Sequence, residues 1–299
     1  MCKFVTHFSL LKIQKRVYFN YERIKVIRRI IMKTRVISAI VALAIFIPLI
    51  IIGDVYFAIS MGILSVLAYK EILDLKKSHG DIPNIIKLLG LISLIYLVLG
   101  NYNEESNFYL INIHQVFLPL VLLLIPVVFY DEKKYSTKDA FYLLGFIYLI
   151  GLFFYIIISL RNLPGENAGL FLFIYLFSIT ILTDTFAYII GILIGKHKMC
   201  PNISPKKSWE GFFAGLIGGS VCASIAYANL IGELSFKIVV FTILLSIIGQ
   251  LGDLIFSRIK RENGIKDFSN IMPGHGGVLD RLDSIIIVVI TYIILTNIF

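Results

Sequence analysis

Charge is scarce in this sequence. Asp, Glu, Lys and Arg supply 16% of its 299 residues, where a soluble domain carries about a quarter. With 58% hydrophobic residues, that deficit excludes an ordinary water-soluble fold. Cysteine is sparse as well. Cys2, Cys200 and Cys222 show no paired or metal-type spacing, which excludes a disulfide framework and a thiolate zinc site. His7, His79, His114 and His197 have no mutual spacing that suggests zinc. There is no Walker A lysine loop, no dinucleotide glycine fingerprint and no paired-histidine helix motif. The apolar runs do not alternate in polarity, which excludes a β-barrel. Internal repeats, low-complexity tracts and a separate soluble domain are also missing.

What is present is a series of long apolar runs, several near the roughly 20 residues needed to cross a bilayer. They predict an all-α polytopic membrane protein with about nine transmembrane helices, at roughly 36–53, 55–74, 84–100, 108–130, 139–160, 168–194, 209–231, 236–256 and 278–298. The fourth is the weakest, because Asn112, His114, Gln115 and Pro119 interrupt it. With the N-terminus placed in the cytoplasm, sixteen Lys and Arg fall in inner loops, and only Arg161 and Lys237 fall outside. That asymmetry fits the positive-inside rule and supports both count and orientation.

The net charge of +9 belongs to one segment. Residues 1–35 hold ten Lys and Arg against Glu22 alone, and the remainder is balanced. The basic balance therefore marks an N-terminal arm and not a nucleic-acid-binding face; membrane lipids with anionic headgroups are its expected partner. Residues 1–31 have two readings. Leu10, Ile13, Val17, Ile24, Ile27 and Ile31 recur at helical spacing among basic residues, as in a helix lying on the inner membrane surface. The favoured alternative is that native translation starts at Met32, where MKTRVISAIV supplies a basic start to the first span. Residues 32–299 then form one transmembrane catalytic domain.

The scarce charge is concentrated. Residues 257–283 hold nine Asp, Glu, Lys and Arg plus His275 in 27 positions. Charge beside a membrane is costly unless it sits at an aqueous boundary or does chemistry. Asp253 and Ser257, four apart, share a helix face near the end of the eighth span. Lys260 and Arg261 follow at the membrane exit. Pro273, Gly274, His275, Gly276 and Gly277 make a tight turn whose backbone N–H groups could approach an anion. Asp280 and Asp283, three apart, lie on one face at the start of the ninth span and could hold a divalent cation with Asp253. A blander reading makes the cations membrane anchors and the glycines a helix-start turn, but it leaves the carboxylates unexplained.

A second block runs from Asp184 to Gly211. Asp184 lies deep in the sixth span and is a candidate metal or substrate ligand; its bland alternative is a buried hydrogen-bonding group between helices. Ser204, Lys206, Lys207 and Ser208 supply donors and charge suited to phosphate oxygens. Trp209 suits an interfacial anchor equally well. Arg261, just past a span, can reach the headgroup plane.

These residues resemble a known family. Ser257-x-x-Lys260-Arg261-x4-Lys266-Asp267-x-Ser269-x3-Pro273-x-His275-Gly276-Gly277-x2-Asp280-Arg281-x-Asp283 is similar to the signature of phosphatidate cytidylyltransferases. Ile203 to Gly211 (ISPKKSWEG) resembles a second motif of that family, and Asp184 to Tyr188 with Gly191 a third. Met272 stands where the family more often has a branched aliphatic residue, a packing change. The resemblance implies that phosphatidate attacks the α-phosphorus of CTP at the inner membrane face, giving CDP-diacylglycerol and pyrophosphate. With the residue reading it gives Asp253, Lys260, Arg261, His275, Asp280, Arg281 and Asp283 as catalytic. It gives Ser204, Lys206, Lys207, Ser208, Ser257, Lys266, Gly276 and Gly277 as substrate-binding, and Asp184, Asp253, Asp280 and Asp283 as metal ligands. The expected cofactor is Mg2+, with room for a second, monovalent cation such as K+. The expected partners are CTP, phosphatidate, membrane lipids and, as an open addition, a second copy in a homodimer. Two other classes stay open: a CTP-dependent polyprenol or phytol kinase, and an ion-coupled transporter.

Overall fold

Each long apolar run becomes a helix. The computed structural model describes residues 36–77, 80–100, 112–272, 274 and 276–298; the basic arm, Pro273 and His275 lie outside them. In chain order the helices are α1 (Val36–Ile52), α2 (Asp54–Lys77), α3 (Asn84–Leu99), α4 (Ile113–Leu124), α5 (Thr137–Arg161), α6 (Ala168–Ile194), α7 (Trp209–Leu230), α8 (Phe236–Glu262) and α9 (Leu279–Ile298). α2, α5, α6, α7 and α8 are long and apolar enough to cross a membrane, whereas α1, α3 and α4 are shorter apolar helices. α4 contains Pro119 and ends in a 3-10 turn at Ile125–Val128, where Pro126 has no N–H to continue an α-helix. Among the described residues the helices are joined by a hairpin of β1 (Lys198–Cys200) and β2 (Ser204–Ser208), antiparallel, with Lys198 opposite Ser208.

Local signals explain where the helices start. Ser136, Ser208 and Ser235 each stand before a helix, and their hydroxyls accept the N–H groups of Asp139, Gly211 and Ile238. Such caps satisfy donors that the first turn leaves free. α5 is the most enclosed helix; it packs against α2, α3, α4, α6 and α9, and its Leu143, Ile147, Ile150 and Phe154 are fully buried. α6 and α7 approach closely because α7 presents Gly211, Gly215 and Gly219 at four-residue spacing; a Cβ on Gly215 would stand 2.7 Å from the Thr183 carbonyl oxygen. On the outer face of α7, Phe213, Ile217, Val221 and Ile225 are exposed, an apolar stripe suited to lipid tails.

Cross-links at the two ends of the bundle fix which loops meet. At one end Arg161 donates to the carbonyls of Ile50 and Ile51 (2.5 and 2.8 Å), closing the end of α1. Asn162 accepts the Asp54 N–H nearby. At the other end Lys76 of α2 pairs with Asp139 of α5 at 2.6 Å. The hairpin, the end of α8 and the start of α9 gather at this same end.

Candidate active site

The hairpin is held to α8 by charge. Lys207 Nζ pairs with Asp253 Oδ2 at 2.7 Å and donates to the Gln250 carbonyl at 3.2 Å. Gln250 Nε2 in turn donates to the Phe212 carbonyl. Arg261 braces the other side, donating to the carbonyls of Ile203 (3.3 Å) and Ile265 (2.9 Å). At the base, His197 meets Glu210 at 2.6 Å. The hairpin is thus a fixed element where the sequence reading expected a loop.

Below it lies the acidic group. Asp253 also accepts from the Ser257 hydroxyl at 3.2 Å, one turn further along α8. Asp184 of α6 and Asp283 of α9 lie within electrostatic range of Asp253 and of each other, and Asp184 is hydrogen-bonded by the Ser284 side chain. Asp184 is exposed, while Asp253 and Asp283 are half-buried, so the group opens to the protein surface. Lys260 is buried; it pairs with Asp280 at 2.7 Å and reaches Asp283 at 3.9 Å. Its ammonium also lies over the Phe268 ring, a further favourable contact for a desolvated cation.

At the end of the glycine turn, the N–H of Gly277 and the two that follow it are bound by the protein's own carboxylates. Asp280 Oδ2 accepts from Phe268 N at 2.7 Å and Gly277 N at 2.9 Å. Glu71 of α2, 1% exposed, accepts from Val278 N at 2.8 Å, Leu279 N at 2.9 Å and the Ser269 hydroxyl at 2.6 Å. Gly276 has φ +86, and a Cβ there would stand 2.8 Å from Asp280 Oδ2. A Cβ on Gly277 would stand 2.3 Å from Glu71 Oε1. Glycine is needed at both positions for the carboxylates to reach the backbone.

Several of the expected site residues have contacts within the protein itself. Gly276 and Gly277, read as substrate-binding, let Asp280 and Glu71 close on the turn. Ser208, read as a phosphate donor, is 3% exposed, and its hydroxyl caps α7. Arg261, read as a headgroup contact, spends its hydrogen bonds on two backbone carbonyls. Asp280, read as a metal ligand, has one oxygen on Lys260 and the other on two N–H groups. Ser204 is partly buried in β2, while Lys206, Lys266 and Arg281 are exposed around the site; His275 lies outside the described residues. The structure brings Lys207, Asp253, Ser257, Lys260, Asp283 and Asp184 together. Glu71, Gln250 and Ser284 were missed, and Ser269 entered only as part of the family signature. Glu71 did carry a signal, being a carboxylate inside the expected 55–74 span.

A divalent cation has a donor set to consider. Among the described residues no three His, Cys, Asp or Glu side chains converge as a ready-made metal centre. Asp184, Asp253 and Asp283 place carboxylates from three helices within electrostatic range of one another, with Asp184 accessible. Carboxylate oxygens are the donor type that Mg2+ takes.

Comparisons with known proteins give the family. A sequence profile described as the cytidylyltransferase family matches residues 33–299. The phosphatidate cytidylyltransferase of Staphylococcus haemolyticus (strain JCSC1435) is 35% identical over 266 residues, covering 86% of this chain and 96% of that protein. Those of Staphylococcus saprophyticus and Staphylococcus aureus (strain COL) are each 34% identical, with the same coverage of both chains.

Proposed function

The chain belongs to the cytidylyltransferase family, and from that membership we infer that it is a nucleotidyltransferase making CDP-diacylglycerol and pyrophosphate from CTP and phosphatidate. The observation that carries this reading is the likeness to enzymes of that name along 96% of their length. In the reaction a phosphate oxygen of phosphatidate forms a bond to the α-phosphorus of CTP. The bond from that phosphorus to the bridging oxygen breaks, and pyrophosphate leaves with the electron pair. The nucleophile is already an oxyanion, so no strong base is required. The task is to align two anions and to neutralise charge as it builds on the leaving group.

The residues at the hairpin end suit that task. Lys207 and Lys260 are fixed cations, each held by a carboxylate. Lys206 is exposed on the hairpin and is the residue we assign to CTP phosphates. Asp184, Asp253 and Asp283 would hold Mg2+, which when bound neutralises the triphosphate and favours departure of pyrophosphate; a monovalent ion such as K+ would be a second occupant. The excess of Lys and Arg at this end supports a cytoplasmic orientation by the positive-inside rule, for a protein in the cell membrane. CTP then enters from water and phosphatidate from the bilayer. The exposed apolar faces of α6 and α7 are where acyl chains, or a second copy in a homodimer, would lie.

The test uses purified protein with phosphatidate and Mg2+, and CTP labelled at either the α- or the γ-phosphorus. Label from the α position should enter lipid, with an equal amount of pyrophosphate released. Label entering lipid from the γ position alone would make the protein a lipid kinase, and transfer of neither would overturn the enzymatic reading.

A further inference from the structure

Glu71 lies 198 residues from Ser269 in sequence yet holds it at 2.6 Å. It comes from α2, in the half of the chain that supplies none of the Asp and Lys side chains of the site. Its two oxygens account for the N–H groups of Val278 and Leu279. Asp280 takes the preceding N–H, that of Gly277. Three successive backbone donors at the start of α9 are therefore bound by two carboxylates. A helix N-terminus leaves such donors unsatisfied and carries partial positive charge, so a buried carboxylate there is well placed. α2 is itself anchored at the same end by the Lys76–Asp139 pair.

We propose that Glu71 is a positioning residue for the transfer reaction: a strap from α2 that sets the height and rotation at which α9 begins. Asp280 and Asp283 lie in the first two turns of α9, and both reach Lys260. A change in where α9 starts would move both carboxylates relative to Asp253 and Lys260 on α8. Misplacement of reacting or charge-neutralising groups by about 1 Å can cost about a hundredfold in rate. Glu71 also occupies the N–H groups that would otherwise be offered to a substrate phosphate. Substrate phosphates are thereby left to the side-chain cations, Lys206, Lys207 and Lys260. This proposal rests on the cytidylyl-transfer reading of the site.

The variants are Glu71→Gln and Ser269→Ala, measured as full-length protein. Glu71→Gln keeps the side chain's shape but turns one acceptor into a donor that faces other donors. Per folded molecule, its kcat should fall by about tenfold or more, with both KM values changed by less than about twofold. In the same protein, hydrogen exchange at the amides of Val278 and Leu279 should accelerate. Ser269→Ala removes one of the three hydrogen bonds and should lower kcat in the same direction by less, while retaining the fold. The double variant should lose less than the two single losses combined, because both act through one contact. A merely structural cap would lower the melting temperature and the folded yield while leaving kcat per folded molecule intact. That result, or unchanged amide exchange in Glu71→Gln, would overturn the proposal, as would unchanged kcat in Ser269→Ala if Glu71→Gln does not fold. Failure of the wild-type protein to transfer α-label would instead sink the cytidylyl-transfer reading, with amide exchange still reporting on the strap.

Discussion

Asp253→Asn should abolish most turnover while leaving the fold in place. The amide is close to the carboxylate in shape and retains an oxygen for the Ser257 hydroxyl, which now lies 3.2 Å away. Lys207 keeps its hydrogen bond to the Gln250 carbonyl, so the hairpin stays docked through that bond and through Arg261. What disappears is the negative charge between Lys207 and the other two carboxylates. Without it Lys207 is freer to move, and a cation loses one of its three proposed hard donors. Removing a charge-stabilising group of this kind costs about a hundredfold to a thousandfold in kcat. The check is α-label transfer into lipid, measured beside the thermal unfolding midpoint in detergent. Near-normal turnover at saturating Mg2+ would remove Asp253 from the site.

Asp280→Asn should behave differently, losing stability and activity together. Its partner Lys260 is buried, with side-chain exposure of 9% against 4% for Asp280. Breaking a buried ion pair from one side costs about 3–5 kcal/mol, because the remaining charge is stranded. Asp283, at 3.9 Å from Lys260, offsets part of that loss. The amide also cannot present oxygens both to Lys260 and to the N–H groups of Phe268 and Gly277. Its NH2 group must face one set of donors. The unfolding midpoint should therefore drop clearly in the single variant. Lys260→Met combined with Asp280→Asn should recover part of the stability, since Lys260 is no longer stranded by the loss of Asp280, but none of the activity. A single variant as stable as the parent would show that the Lys260–Asp280 pair does not hold the start of α9.

The contrast between these two aspartates shows what was legible in the sequence. Both were assigned to one metal cluster, because both sit in charged, helix-end surroundings among apolar runs. Their spacing said which face of a helix they share. It could not say that Asp280 turns back onto the Gly277 N–H while Asp283 faces Asp253. The helices themselves were readable, since hydropathy over some 20 residues is a strong signal and each expected span contains a helix. The hairpin was not, because Lys198–Cys200 and Ser204–Ser208 are too short and too polar to show a strand pattern, and Pro205 argues against one. Arg261 read as a phosphate ligand because a guanidinium after a span suits one; only the folded hairpin brings the Ile203 carbonyl to it. Glu71 was hidden by distance along the chain. Its partners are 198 to 208 residues away, and nothing local to α2 points to them.

Where CTP binds is the most direct question to put to this protein. Irradiation with a photoactivatable CTP analogue, followed by peptide mapping, would answer it. Cross-links should fall in residues 196–208 and 257–283, should be competed away by CTP, and should weaken in Lys206→Ala. At the opposite end of the bundle, a cavity of about 150 Å³ lined by Tyr175, Tyr227, Lys237, Phe241 and Tyr292 offers a second place for a nucleotide. Competable cross-links there, with none on the hairpin or the α8–α9 turn, would contradict the assignment of the reaction to the end where Lys207, Asp253 and Lys260 meet.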